Sequence, residues 1–197
     1  MATIVEHDKR RQEILQRALD VFIDEGYEDV TFQKIADRCG ITRTTLYIYF
    51  KNKREIFLWS IKQLTETLEV QLLEVVKDTS LSSEAALKKI FRIIIDVCQE
   101  NPKLFTVLLS YLIQLQKSGG DPEERVRRRV IKIRHIICIV LIRGMKSGEV
   151  KKVNLKATTE MLYSVFESAI FKIAVLNKTD ISDMIDVADV AIENLMA

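Results

Sequence analysis

The chain has 197 residues, 48% of them hydrophobic, and a formal net charge of +2. That much apolar material builds a substantial core and excludes a disordered chain, while six glycines and two prolines are too few to turn an all-β fold, so helices are expected. A near-neutral total neither requires nor excludes nucleic acid, so the placement of charge decides. Residues 34–54 hold six cations, Lys34, Arg38, Arg43, Lys51, Lys53 and Arg54, against Asp37 alone, whereas residues 154–197 hold three lysines against seven acids.

The opening residues lack the apolar centre of a signal peptide, and the longest apolar run, near Ile136 to Ile142, is far short of a membrane span. Cys39, Cys98 and Cys138 are odd in number, far apart and set in apolar helical patterns, which suits reduced core thiols. These features describe a cytoplasmic protein with no membrane partner.

From about Asp8 to Glu25, Ile14, Leu15, Ala18, Leu19 and Phe22 mark one buried helical stripe that stops at Gly26. Thr31 can cap a short second helix with Phe32, Ile35 and Ala36 facing inward. Cys39-Gly40-Ile41 turns the chain, and Thr42 can cap a third helix through about Tyr49. Asn52 with Glu55 resembles a capping box that opens a long fourth helix to about Lys77.

Beyond the polar joint at residues 79–83, Ala86, Leu87, Ile90, Phe91, Ile94 and Ile95 mark a fifth helix. Asn101-Pro102 and Asp121-Pro122 each combine a cap with a first-position proline, launching a sixth helix to about Lys117 and a seventh to about Lys146. The isoleucine-rich run from His135 to Ile142 is read as helix because its start is capped and no turns flank it. After Gly148, Asn154 and Asp180 are candidate caps for two final helices, striped by Leu162, Val165, Phe166, Ala169, Ile170 and Ile173, and by Ile181, Met184, Ile185, Ala188, Ile192 and Leu195. Such stripes at the end of a chain call for a partner surface.

The fold class is therefore all-α, about nine helices, with a three-helix helix-turn-helix domain, of the kind that binds DNA, over residues 1–54 and a helical domain over 55–197. A helix-turn-helix lays its second helix in the major groove with its N-terminal side chains at the base edges. Thr42, Arg43, Thr44 and Thr45 occupy that position; Arg43 can bond a guanine edge twice or clasp a phosphate. Tyr47, Tyr49, Lys51 and Lys53 follow on the side facing the sugar-phosphate rail, with Thr31 at the second helix's start. Leu46 and Phe50 anchor the helix from behind on Ile14, Ala18 and Ile35.

Through about 45 positions, Ile14-Leu15-x-x-Ala18-Leu19-x-x-Phe22, Gly26-Tyr27, Thr31, Ile35-Ala36, Cys39-Gly40-Ile41-Thr42, Leu46-Tyr47-x-Tyr49-Phe50, Lys53 and Ile56-Phe57 resemble the N-terminal signature of the TetR family of bacterial transcriptional regulators. The resemblance implies DNA contacts at Thr31, Thr42, Arg43, Thr44, Thr45, Tyr47, Tyr49 and Lys53. It also implies a homodimer formed through the last two helices, a small-molecule effector in a cavity among the central helices, and no cofactor. Thr44 stands where many members have glycine, and Tyr49 replaces a frequent histidine.

Gly148-Glu149 before a closing helical pair is also typical of that family. The expected activity is repression from a palindromic double-stranded DNA operator, relieved by the effector. The alternative is a helical interaction module without DNA binding. An enzyme is disfavoured because the chain lacks a phosphate-binding glycine loop, a nucleophile elbow, a zinc-type histidine pair and a CxxC. Candidate effector contacts are Phe91, Phe105, Tyr111, Gln114, His135, Tyr163, Phe166 and Glu167, aromatic or polar groups within apolar stretches. The cluster from Arg125 to Arg134 reads as a solvated face or a source of salt bridges rather than a second nucleic-acid surface.

Overall fold

The computed structural model describes the backbone of residues 2–197 and the side chains of residues 6–197; Met1, where the expected head begins, lies outside it. The described residues form nine α-helices: α1 Ala2–Glu25, α2 Phe32–Cys39, α3 Arg43–Tyr49, α4 Lys53–Lys77, α5 Ser83–Glu100, α6 Pro102–Lys117, α7 Pro122–Ser147, α8 Leu155–Ala174 and α9 Asp183–Glu193. Their only extended pairing is an isolated antiparallel bridge, Val150 with Met196.

Most helix starts follow from caps visible in the sequence. Backbone amides donate to Thr31 Oγ1 (from Lys34, 3.2 Å), Thr42 Oγ1 (Thr45, 3.0 Å), Asn52 Oδ1 (Glu55, 2.9 Å), Asp121 Oδ1 (Glu123, 2.8 Å) and Asn154 Oδ1 (Ala157, 3.1 Å). Each such cap contributes about 1 kcal/mol by satisfying an otherwise orphaned donor. Two expected caps act differently. Asn101 closes the preceding helix instead, donating from Nδ2 to the Val97 carbonyl at 2.9 Å. Asp180 accepts from the Ser182 amide at 2.9 Å within a turn, and α9 starts only after the fully buried Ile181 has been inserted into the core.

The buried side chains fall into two clusters. The head cluster joins α1, α2 and α3 through Ile14, Ala18, Phe22, Ile35, Leu46 and Phe50. It continues past residue 54 into Ile56, Phe57 and Ile61 of α4, and takes Leu104, Val107 and Tyr111 from α6. The body cluster packs α5, α7, α8 and α9 with the far end of α4, at Leu72 and Val75. One 25-residue helix, α4, is thus part of both cores.

The closing stripes need no second chain. Leu162, Phe166, Ala169 and Ile173 of α8, with Ile181, Met184, Ala188 and Ile192 around α9, are all buried within this chain's own body. The residues left exposed belong to other faces: Met161, Phe171 and Val175 of α8 and its end, and Val187 and Val190 of α9.

Lysine and glycine fix two junctions. The turn between α1 and α2 is pinned by Lys53, whose Nζ donates to the carbonyls of Tyr27 (2.9 Å), Glu28 (2.8 Å) and Val30 (2.9 Å). Where α7 crosses the start of α5, a Cβ on Gly144 would lie 2.4 Å from Val150 Cγ2 and 2.9 Å from Ser83 Cβ. Glu149 seals that corner, accepting from the Ser83 amide at 2.5 Å and the Ser147 hydroxyl at 3.0 Å; these bonds hold its carboxyl below the usual carboxylate range.

Gly144→Ala should therefore cost about 1–3 kcal/mol, the usual penalty for overpacking, seen as a lower urea midpoint with an unchanged slope. Lys53→Ala should lower the thermal midpoint in the absence of any DNA, by about 1–2 kcal/mol at that temperature, because three carbonyls lose a charged donor. An unchanged midpoint would show that water replaces the ammonium without loss.

Candidate nucleic-acid interface

At seven residues α3 is too short to persist alone, so its shape depends on what it is packed against. Leu46 and Phe50, 0% and 2% exposed, fix it to the head cluster. Gly40 makes the preceding turn at φ +66°, a left-handed conformation that side chains disfavour, with the Ile41 amide bonded back to Ala36 at 3.1 Å. The opposite face of α3 is turned to solvent: Thr42, Arg43, Thr44, Tyr47 and Ile48 are exposed and Thr45 is half-buried.

The outward side chains are ordered by one another. The Thr42 and Thr45 hydroxyls lie 2.8 Å apart. Arg43 donates from Nη2 to the Tyr47 hydroxyl at 3.2 Å, and the Tyr47 ring packs at 4.5 Å on Phe32 of α2. Tyr49 is half-buried and stacks at 4.6 Å against His7 of α1. Thr31 is exposed at the start of α2.

The local excess of cations is only partly available to an anionic partner. Lys34 and Arg38 are paired with Glu25 (2.5 Å) and Asp24 (3.1 Å), tying α2 to α1. Lys53, expected as a contact to the phosphate rail, has its ammonium drawn into three carbonyls, and burial holds its pKa below the ordinary lysine value. Arg43, Lys51 and Arg54 have no ion-pair partner among the described residues. Lys51 also keeps the Asn52 turn closed, its backbone amide donating to Glu55 at 2.7 Å.

Sequence reasoning missed Ile48, which is 69% exposed beside the threonines. Its signal was available, because an isoleucine between the anchoring positions 46 and 50 lies off the buried stripe.

The eight candidate effector contacts do not converge on one cavity. Phe91 and Phe166 stack at 4.3 Å in the body core, with the Tyr163 ring 6.2 Å from Phe166. Tyr111 belongs to the head cluster, its ring 4.8 Å from Tyr27 and 5.0 Å from Phe57. Phe105 and Gln114 are half-buried, while His135 and Glu167 are exposed, because both fall on the outward faces of their helices. The best-formed concavity lies elsewhere, a groove of about 580 Å³ between α4 and α7 that none of the eight lines. Arg125, Arg128, Arg129 and Lys132 form one side of it, at a spacing that places them on one helix face. That spacing was the overlooked sequence signal. No group of His, Cys, Asp or Glu among the described residues could hold a metal ion, and no helix among them is long and apolar enough to cross a membrane.

Comparison with known proteins places this geometry. Residues 14–58 match the family model described as bacterial regulatory proteins, tetR family. The fatty acid metabolism regulator protein of Bacillus subtilis (strain 168) is 22% identical over 162 residues, 80% of each chain. A TetR transcription regulator from Haloarcula marismortui superimposes with a TM-score of 0.86 at 21% identity, covering 96% of this chain and 100% of that one. The Bacillus subtilis regulator FadR, crystallised with stearoyl-CoA, does so with a TM-score of 0.73 at 20% identity, covering 94% and 97%. These relatives are regulators of transcription, not enzymes. Over residues 14–58 the chain thus matches the model of the tetR family of bacterial regulatory proteins, and along almost its whole length it has the fold of these TetR regulators.

Proposed function

We propose that the protein acts in the cytoplasm as a dimeric repressor that grips a palindromic operator and is released by a small-molecule effector. The observation that carries this reading is the exposed face of α3, where threonines and an arginine project outward while Leu46 and Phe50 hold the helix from behind. Arg43 and Thr44 are placed to meet base edges, with Thr31, Thr42, Thr45, Tyr47 and Tyr49 around them, and Lys51 and Arg54 supply charge for the phosphates.

Dimerisation through α8 and α9 is supported by the apolar side chains that this body leaves in water. Met161, Phe171 and Val175 fall on one face of α8 and its end, with Ser164 and Ser168 between them, and Val187 and Val190 are left exposed on α9. Each of these five apolar residues is between 46% and 59% exposed. An apolar patch of this kind on a helical pair marks an interface, and small serines let a second pair approach closely. Two heads held by such a dimer would read half-sites about one DNA turn, roughly 34 Å, apart.

The effector class is an acyl-chain amphiphile, of which stearoyl-CoA in the Bacillus subtilis structure is the example at hand. Release requires that the effector bind one arrangement of heads more tightly than the other, with a typical coupling of about 1–3 kcal/mol.

Selection from a random duplex pool should return an inverted repeat, bound with an affinity that falls steeply with salt. On that site Arg43→Ala should lose about 1–3 kcal/mol and relax base preference; equal losses on selected and random DNA would make Arg43 a phosphate contact. Phe171→Glu should sediment as a monomer with unchanged helical circular dichroism and bind the repeat weakly. A dimer that survives this change would exclude the α8–α9 face.

A further inference from the structure

The first turns of α1 run past the end of α3. His7 and Arg11, four residues apart on α1, share a face of that helix. The His7 imidazole stacks on the ring of Tyr49, with centroids 4.6 Å apart and planes 25° from parallel. Arg11 repeats the contact one turn on, its guanidinium 5.0 Å from the ring of Phe50 and 4.3 Å from that of Trp59. His7 is exposed whereas Tyr49 is half-buried, so the imidazole forms the outer layer of the stack.

The charge along this edge is cationic and largely unpaired. On α1, Arg10 and Arg11 stand one turn beyond His7, while its chain neighbours Glu6 and Asp8 point to other faces of the helix. Lys51 follows α3, and Lys53, Arg54 and Glu55 open α4. The acids on this side are already engaged: Glu13 pairs with Arg10 at 2.9 Å, and Glu55 accepts the Lys51 amide at 2.7 Å. No carboxylate among the described residues forms an ion pair with His7, Arg11, Lys51 or Arg54. An imidazolium at this position finds its counter-charge outside the chain.

We infer that His7 is a phosphate contact of the head, positioned by its stack on Tyr49, and that duplex affinity rises as pH falls because the contact uses the charged imidazole. A helix-turn-helix enters the groove by the N-terminal residues of its second helix, so the last turn of α3 and the α1 residues stacked on it lie toward the sugar-phosphate rail. Histidine is the side chain that changes charge between about pH 8 and pH 5. A phosphate favours the protonated ring, so the bound state takes up protons, and by linkage binding tightens as pH falls and loosens as pH rises. A phosphate contact carries no sequence information, so the effect is the same on any duplex. This inference rests on the DNA-binding reading proposed above and adds to it a residue that lies ahead of the helix-turn-helix signature.

Fluorescence anisotropy of the selected duplex at constant salt should show at least about fivefold tighter binding at about pH 6 than at about pH 8. A random duplex should show the same ratio at its lower affinity. The salt dependence should be steeper at the lower pH by about one counterion per protomer. His7→Phe, which keeps a ring on Tyr49 and carries no titrating proton, should give a flat profile at the weaker, high-pH level, and His7→Gln, which adds no exposed ring, should do the same. His135→Gln alters the chain's other histidine, on the outward face of α7, and should keep the full response. A flat wild-type profile, a response that survives in both His7 variants, or one confined to the selected duplex would overturn the assignment. Specific binding without any response to pH removes His7 and keeps the DNA-binding reading; no duplex binding at either pH removes both.

Discussion

Helix α4 is packed into two hydrophobic clusters at once, and the working geometry of the molecule depends on that sharing. Ile56, Phe57 and Ile61 bind its first half to the head, and Leu72 and Val75 bind its second half to the body. Each fully buried aliphatic or aromatic side chain contributes on the order of 1.5–3 kcal/mol, so neither end detaches without loosening a core. Tyr111 of α6 gives the head a second attachment, set among Tyr27 and Phe57, and limits how far it can swing.

The head itself is stiff. Ion pairs of Lys34 and Arg38 join α2 to α1, Lys53 of α4 closes the α1–α2 turn, and Thr31 and Thr42 cap the two helices of the motif. Many of the polar side chains at residues 31–55 thus serve to hold the exposed face of α3 in shape. The head is joined to the body along α4, which meets α7 across a groove rather than a filled core.

Much of this was legible from residue order because caps and breakers act locally. Asn52, Asp121 and Asn154 announce their helices within four residues, and the stripe of Ile14, Ala18 and Phe22 has one physical reading. The His135–Ile142 run was settled as helix by its capped start, in keeping with α7. What depends on a distant element was not legible. The stripes of α8 and α9 proclaim burial without saying against what, and α5 and α7 of the same chain cover them. Tyr111 was read as an effector contact, yet α6 delivers it to the head cluster, not to a cavity in the body. The cations at 125, 128, 129 and 132 share a face by spacing alone, but only the fold shows that half-apolar α4 lies opposite. Lys53 lies among cations in sequence and among carbonyls in space.

The contact between Arg43 and Tyr47 bears on the thermodynamics of recognition. A free arginine carries about 2 kcal/mol of rotameric entropy, and a side chain immobilised on association ordinarily forfeits much of it. Here the guanidinium is tethered to a phenol one turn along its own helix, and that phenol rests on Phe32. Part of the arginine's torsional freedom is thus surrendered during folding, before any duplex is met. On the proposed operator, what remains to be lost would fall mainly on Lys51 and Arg54, the exposed rim cations with no ion-pair partner among the described residues.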